Sequence, residues 1–318
     1  MVTYTIRRVL WVIPVLWAVA TLTFFLMHAV PGGPFTQDKH LPDAVNAALN
    51  RRYHFDQPVW RQYVNFLWNS IQGDLGLSVK GDKTVTSVIS RTWFVTAQLG
   101  ILCSITVIAV GLTLGTVSAL NHNGPLDYIG VGFATIGASV PNFVVAAFLS
   151  IVFAVNIQIF KLSGWGGPIE VGDIFKLSAY HWDKLVLPVI AISALPASYL
   201  ARVTRASVLE VLNQDYIRTA RAKGVTESRV VLRHTLKNAM IPVLTVVGPL
   251  TVNLVTGSFI IETMFGIPGL GRETINAVVA RDYNTIMGTT LVYAFVVTIA
   301  SLVVDLAYAV VDPRIRYG

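Results

Sequence analysis

The chain has 318 residues, of which 54% are apolar and only 13% are charged, whereas soluble proteins average about 25% charged residues. The apolar residues form long blocks without charges, which excludes an ordinary soluble protein and indicates an integral membrane protein. The net charge is +7, but basic residues beside membrane spans account for it, so we predict no nucleic-acid partner. The single cysteine, Cys103, excludes an internal disulfide and a cysteine-based metal site.

The first apolar block runs from Val9 to Val30, directly after Arg7 and Arg8. It is long enough to span a bilayer, whereas the apolar core of a signal peptide has about 7–15 residues. We therefore predict an uncleaved first span, with a cleaved signal peptide as the alternative. Residues 1–32, the N-terminus and this span, form the first predicted unit.

A polar segment follows and forms the second predicted unit, residues 33–93. Its middle part has the periodicity of an amphipathic helix. It also carries four spaced aromatic residues: Trp60, Tyr63, Phe66 and Trp68. We predict a small folded extracytoplasmic lobe, in which these residues either line a binding surface or form an interfacial belt and the core of the lobe.

The rest of the chain, residues 94–318, is predicted to be a core of five more transmembrane helices. The apolar runs place these spans at about 94–120, 128–160, 185–201, 241–261 and 286–311. The fold class is therefore all-α, with six transmembrane helices and the lobe between the first two.

The distribution of basic residues predicts the orientation in the membrane. With both termini in the cytoplasm, twelve Lys or Arg residues lie in short inside segments and five in short outside loops. Short cytoplasmic loops carry the excess of Lys and Arg in membrane proteins, so this arrangement is favoured. It places the lobe outside the cytoplasm.

Four polar or kink-forming residues within the apolar runs are candidates for a translocation pathway: Pro141, Asn142, Asn253 and Ser258. A proline within a span frees backbone hydrogen-bonding groups, which neighbours or water must satisfy. A simple kink at Pro141 and ordinary helix packing at the polar residues are the alternatives. Asp305 is the only charge in the sixth span, and either a functional role or structural pairing near the interface accounts for it.

A basic stretch, residues 204–240, interrupts the apolar pattern and carries seven Lys or Arg residues. Four of its residues recur at spacings of three and four, which predicts one face of a helix: Leu209, Leu212, Tyr216 and Ala220. A cytoplasmic element of this kind cannot span a membrane, and it indicates a docking site for another protein.

Gly224 is expected to end that helix, because glycine takes the left-handed C-terminal position at little cost. Thr226 is placed to cap a second helix, with Glu227 in its first turn. Pro242 then opens the next apolar run.

The sequence contains no phosphate-binding loop of the type Gly-x-x-x-x-Gly-Lys-Ser/Thr, and its histidines lack metal-ligand spacing. We predict no catalytic, cofactor-binding or metal-ligating residues in this chain. A membrane-embedded enzyme therefore finds no support in the sequence.

Residues 216–224, Tyr-Ile-Arg-Thr-Ala-Arg-Ala-Lys-Gly, resemble the Glu-Ala-Ala-x-x-x-Gly loop of permease subunits in binding-protein-dependent ABC importers. Two features depart from the general pattern: Arg218-Thr219-Ala220 replaces Glu-Ala-Ala, and Pro242 lies further from Gly224. Both departures resemble the peptide and nickel branch of that family. Pro34-Phe35-Thr36 and Leu41-Pro42 in the lobe resemble most the B-type permease subunits for oligopeptides or dipeptides. Further segments agree, in order along the chain: Pro31-Gly32-Gly33-Pro34-Phe35, Gly73-Asp74-Leu75-Gly76, Glu262 to Gly271, Arg281-Asp282-Tyr283, and Asp312-Pro313-Arg314-Ile315-Arg316-Tyr317.

The resemblance implies a subunit of a peptide importer in the bacterial cytoplasmic membrane. Its partners would be a second, C-type permease subunit, cytoplasmic ATPase subunits that bind ATP and Mg²⁺, an extracytoplasmic peptide-binding protein, membrane lipid and the peptide itself. The residues implied in coupling to the ATPase are Tyr216, Arg218, Thr219, Ala220, Arg221, Ala222, Lys223 and Gly224. The arginines would pair with acidic groups of the ATPase, or alternatively anchor the element to anionic lipid.

Two other functions remain as alternatives. One is an ABC importer permease for nickel or another small solute. The other is an ion-coupled secondary transporter, which would be expected to carry acidic ion sites or broken helices within its spans.

Overall fold

The computed structural model describes residues 2–31, 42–79, 81, 83–169, 171–174 and 176–311. Within these ranges the regular structure is helical, apart from one isolated antiparallel bridge between Leu77 and Thr84. The segment from Gly32 to Leu41 and the C-terminal segment from Asp312 lie outside the described residues.

The N-terminal part contains a long helix, two lobe helices and a second long helix. They are α1 (Val2–Ala29), α2 (Asp43–Arg52), α3 (Val59–Ile71) and α4 (Val85–Leu120). Helix α4 begins well before the predicted second span, because the Thr84 side chain caps it by accepting a hydrogen bond from the Ser87 amide. The predicted lobe boundary at residue 93 therefore falls within a continuous helix.

The third apolar run folds as a broken helix rather than a straight span. Helix α5 (Pro125–Ser139) and helix α6 (Asn142–Leu149), which continues as a π-helical turn to Asn156, meet at an angle of 105°. Val140 is extended, as is usual before proline, and Pro141 has no amide hydrogen to continue the helical ladder. The bend is thus larger than a simple helix kink.

The central helix α7 (Trp182–Leu212) is longer than the predicted fourth span at both ends, and it packs against α4, α5, α6 and the later helix α10. Small residues allow the close approach. A Cβ atom added at Gly111 of α4 would lie 2.8 Å from the side chain of Leu200, and one added at Gly115 would lie 2.5 Å from the carbonyl oxygen of Ala201. This contact forms the middle of the apolar core.

Beyond α7 the chain makes two short helices, α8 (Asp215–Ala222) and α9 (Glu227–Arg229), followed by a π-helical turn and α10 (Leu236–Val255). Pro242 lies inside α10 rather than at its start. The fifth apolar run therefore becomes helical before Pro242.

The last part comprises α11 (Phe259–Met264), α12 (Leu270–Val279) and α13 (Tyr283–Val311). Among the described residues, five helical stretches are long and apolar enough to cross a membrane, and a sixth crossing results if the bent pair α5–α6 counts as one.

The lobe attaches to α1 and α13 through aromatic residues. The rings of Tyr63 and Phe66 pack on Phe24 of α1, and the hydroxyl groups of Tyr63 and Thr21 lie 2.7 Å apart. Trp60 and Trp68, by contrast, are exposed. The four aromatic residues therefore divide, with two packed between the lobe and α1 and two on the surface of the lobe.

A buried carboxylate holds the loop between α11 and α12. Glu262 is fully buried, and it accepts hydrogen bonds from the Thr96 hydroxyl (3.1 Å) and from the amides of Gly271 (2.8 Å) and Arg272 (3.2 Å). The two amides belong to the first turn of α12, where a negative charge is favourable. The Glu262–Gly271 motif thus links α4, α11 and α12.

Two other acidic residues connect distant parts of the chain. Asp282 precedes α13, where it accepts hydrogen bonds from the amide and hydroxyl of Thr285 and from the hydroxyl of Ser78 in the lobe. Asp305 forms an ion pair with Arg8 of α1 at 2.8 Å. Of the two explanations for Asp305, the structure gives structural pairing.

Orientation can be tested with single cysteines in a Cys103→Ala background, using the exposed residues Gln72 of the lobe and Ser228 of the basic stretch. The charge distribution predicts that Gln72→Cys reacts with an impermeant maleimide from outside the cytoplasm and Ser228→Cys from inside. The measurement is labelling of intact cells and of inverted vesicles. Labelling of both positions from the same side would contradict the orientation.

Replacing Glu262 with Gln should destabilise the protein, because the amide removes one acceptor oxygen and places N–H groups against N–H and O–H donors. The expected loss is about 1–3 kcal/mol, as for an unsatisfied buried polar group. The measurement is thermal unfolding of the detergent-solubilised protein. The matched control is Glu273→Gln, in the first turn of α12. Equal unfolding midpoints for Glu262→Gln and wild type would refute the prediction.

Candidate functional site

The part of the basic stretch up to Ala220 belongs to two helices, the end of α7 and the helix α8, and not to one. Helix α7 ends at Leu212, and the Asn213 side chain donates to the Leu209 carbonyl oxygen at 3.0 Å. Asparagine competes in this way with the helical backbone, and Gln214 is extended before α8 begins. The predicted common face of Leu209, Leu212, Tyr216 and Ala220 is therefore wrong, since the two leucines belong to α7.

Gly224 has the left-handed conformation predicted for it, with φ +76°. Its amide donates to the Arg221 carbonyl oxygen at 2.9 Å, and the next amide, of Val225, donates to the Ala220 carbonyl oxygen at 3.2 Å. A Cβ atom at Gly224 would meet nothing within 4 Å. Within this chain, the backbone conformation alone requires glycine.

The second helix begins at the predicted place. Thr226 precedes α9 in an extended conformation and Glu227 lies in its first turn, but the Thr226 side chain makes no capping hydrogen bond. Glu227 instead accepts two hydrogen bonds from the Arg221 guanidinium, at 2.6 and 3.1 Å. This two-point ion pair closes the turn around Gly224.

The ion pair changes what is expected of the arginines. Arg221 already has an acidic partner in its own chain, and Arg218 lies 3.5 Å from Asp215. Both pairs are substantially exposed to solvent, so each contributes about 0–1 kcal/mol. Each arginine therefore has an acidic neighbour within its own chain.

One face of α8 is attached to the rest of the protein and the other is open. Ile217 is fully buried, and the side-chain amide of Asn238 in α10 donates to the Tyr216 hydroxyl at 3.0 Å. Ala220 is half-buried. The exposed residues of this region are Asn213, Gln214, Asp215, Tyr216, Arg218, Thr219, Arg221, Ala222, Lys223, Gly224 and Thr226. We name residues 213–226 the turn element.

The turn element is attached to the ends of α7 and α10. It follows directly on α7, α8 packs against the π-helical turn that leads into α10, and Asn238 of α10 bonds Tyr216. The ends of α7 and α10 in turn pack with the end of α4 through an apolar cluster of Val208, Ala239 and Ala119. The Ser207 hydroxyl also donates to the Ala239 carbonyl oxygen at 2.8 Å. A force applied to the element can thus reach α4, α7 and α10 through packed contacts.

The four candidate pathway residues are not gathered into one site. Pro141 and Asn142 lie at the α5–α6 break, and the Asn142 side-chain oxygen is buried without a hydrogen-bond partner. Ser258 begins α11, which packs against α6, and its hydroxyl caps α11 at the Ile261 amide. Asn253 is exposed on α10. Of these residues, Asn142 and Ser258 lie on elements that pack against each other.

Asp127 is a residue whose role the sequence analysis missed. It lies in the first turn of α5, is nearly fully buried, and accepts hydrogen bonds from Arg205 of α7 at 2.6 and 2.7 Å. An acidic residue after Pro125 signals a helix start. The spacing alone does not reveal a partner 78 residues away.

The described residues contain no group of three His, Cys, Asp or Glu side chains that could hold a metal ion. The candidate site consists of a helix, a glycine turn and exposed positively charged side chains.

Comparison with known proteins gives a consistent result. Residues 111–317 match the family described as the inner membrane component of binding-protein-dependent transport systems. The chain is 39% identical to the dipeptide transport system permease protein DppB of Bacillus subtilis, covering 99% of this chain and 98% of that protein. It is 38% identical to the oligopeptide transport system permease protein OppB of Salmonella typhimurium, covering all of both chains.

A solved structure shows the same fold at low sequence identity. The crystal structure of an amino acid ABC transporter with histidines matches 70% of this chain and 94% of that chain, with a TM-score of 0.52 and 16% identity. The family match and the full-length relatives agree with the resemblance carried by residues 216–224. The chain belongs to the family of inner membrane components of binding-protein-dependent transport systems.

Proposed function

We propose that this chain is a permease subunit of an ATP-driven importer of peptides. The observation that carries the proposal is the exposed turn element, attached to the ends of two long helices that pack against a third, in a chain similar over its whole length to dipeptide and oligopeptide permease proteins. The dipeptide relatives, at 36–39% identity, and the oligopeptide relatives, at 35–38%, overlap, so we propose peptides as a class.

In this proposal the chain performs no chemistry itself. Cytoplasmic ATPase subunits bind ATP and Mg²⁺ and dock on the turn element, a second permease subunit completes the pathway, and a peptide-binding protein docks outside. Closure of the ATPases would displace the turn element and switch the spans between inward-facing and outward-facing states. Both termini would lie in the cytoplasm of a bacterial cell.

The buried and half-buried acids argue against an ion-coupled transporter. Asp305 is paired with Arg8, Asp127 with Arg205, and Glu262 with hydroxyl and amide donors. An ion-coupled carrier needs acids that exchange a proton or cation during transport. These three carboxylates bond to partners on other helices, so they are not free to exchange a proton or cation.

The four pathway candidates remain part of the proposal. Asn142 supports it most directly, because its buried side-chain oxygen lacks a protein donor and stands at the break between α5 and α6. A polar group of this kind can bind water or a passing amide. Pro141 forms the break, and Ser258 and Asn253 lie on α11 and α10.

Substitution of Gly224 tests the proposed function. Gly224→Asp forces a non-glycine residue into a left-handed conformation, at a cost of about 1 kcal/mol, and adds a charged side chain to the docking face. We expect normal amounts in the membrane, weak co-purification of the ATPase and little ATP-dependent peptide uptake. The measurements are co-purification of the ATPase and peptide uptake by reconstituted complexes, with and without loaded binding protein.

Three variants separate strain from docking. Gly224→Asn tolerates the left-handed conformation better and matches Asp in size, so a defect shared by both variants indicates contact with a partner. Gly224→Ala adds strain with little bulk. Gly73→Asp is the matched control, because Gly73 has φ +79° and equally open space but lies in the lobe. If Gly224→Asp keeps full ATPase binding and full transport, the turn element is not the docking site.

A further inference from the structure

The carboxylate of Asp127 accepts four hydrogen bonds, two of them from Arg205. The Arg205 guanidinium donates from Nε and from a terminal nitrogen to the two carboxylate oxygens, at 2.6 and 2.7 Å. The same carboxylate also accepts from the Ser118 hydroxyl and from the Asn123 amide. The Asp127 side chain is 5% exposed and that of Arg205 is 26% exposed.

These bonds connect three helices at one end of the protein. Ser118 is near the end of α4, Asn123 is in the following turn, Asp127 is in the first turn of α5, and Arg205 is on the last part of α7. Helix α7 ends at Leu212, directly before the turn element. Arg205 is therefore on the same rigid helix that carries the turn element.

The other end of α5 is the 105° break at Pro141. Helices α5 and α6 both pack against α7. The contacts of α5 include two glycines: a Cβ added at Gly130 would lie 2.9 Å from Ser118, and one added at Gly137 would meet the Ser198 side chain. Small-residue contacts of this kind bring backbones close without interlocking long side chains. A two-point Arg–carboxylate bond, by contrast, fixes both distance and orientation.

We infer that Asp127 and Arg205 are positioning residues for transport, which make the first turn of α5 move together with the turn element. A displacement of α7 then reaches the Pro141 break through α5, and it changes the angle between α5 and α6. This inference rests on the proposed function. It assigns to the ion pair the step between ATPase docking and movement of the broken span.

The test measures peptide imported per ATP hydrolysed by the reconstituted complex. Asp127→Asn and Arg205→Gln should lower this ratio roughly five- to tenfold, as expected for loss of a typical coupling between two sites. ATP hydrolysis should remain stimulated by loaded binding protein, because the turn element itself is unchanged. The double variant should be no worse than the poorer single variant, since both residues act through one bond.

The matched control is Asp183→Asn, which breaks the ion pair with Lys161 (2.9 Å) at the opposite end of α7. It should leave the ratio of peptide to ATP within twofold of wild type, because an ion pair exposed to solvent contributes little. If Asp127→Asn and Arg205→Gln also keep the wild-type ratio at equal membrane levels, the inference is overturned. A wild-type complex that imports no peptide with ATP overturns the proposed function instead.

A covalent replacement keeps the test decisive if the single variants accumulate poorly. In a Cys103→Ala background, Asp127→Cys with Arg205→Cys can be bridged by a short bis-methanethiosulfonate and released again with reductant. The inference predicts a low ratio of peptide to ATP in the released form and recovery on bridging. An equal ratio in the two forms, or no recovery after complete bridging, would overturn it.

Discussion

Each interior carboxylate of the described helices is bonded to a particular partner, and the arrangement of the helices depends on these bonds. Burying a charge without a partner costs several kcal/mol, so each buried acid requires its bonding partners to stay in place. Glu262 bonds the start of α12 to α4, and Asp282 bonds the lobe to the start of α13. Asp305 of α13 pairs with Arg8 of α1. Asp127 does the same for α4, α5 and α7.

The turn element is attached to the rest of the protein on one side only. Its buried Ile217 and the bond between Tyr216 and Asn238 hold it against α10, while the Gly224 turn and the basic side chains stay exposed. The bond between Arg221 and Glu227 bridges the turn without covering it. In the proposed function, a partner bound to the exposed face displaces the ends of the long helices when it moves. In this account the sequence supplies a docking surface and leaves energy supply to other subunits.

Local sequence features predicted the class of fold and the Gly224 turn, because hydropathy and the left-handed conformation depend on neighbouring residues alone. The break at Asn213 escaped prediction, since the apolar spacing continues across it from Leu212 to Tyr216 and the side-chain bond to Leu209 is a weak local signal. The pairing of Asp127 with Arg205 depends on the packing of α5 against α7, which no spacing along the chain encodes. Among the pathway candidates, the sequence located the break at Pro141 but not its 105° angle.

The most direct test of the account is site-specific cross-linking at the exposed residue Ala222. In a Cys103→Ala background, Ala222→Cys carries a short photo-reactive label in the reconstituted complex, and Gln72→Cys of the lobe carries the same label as a control. The account predicts that the label at Ala222 captures the ATPase subunit, that the label at Gln72 does not, and that the efficiency at Ala222 changes when ATP binds. A complex that imports peptide with ATP, yet never links Ala222 to the ATPase, would contradict it.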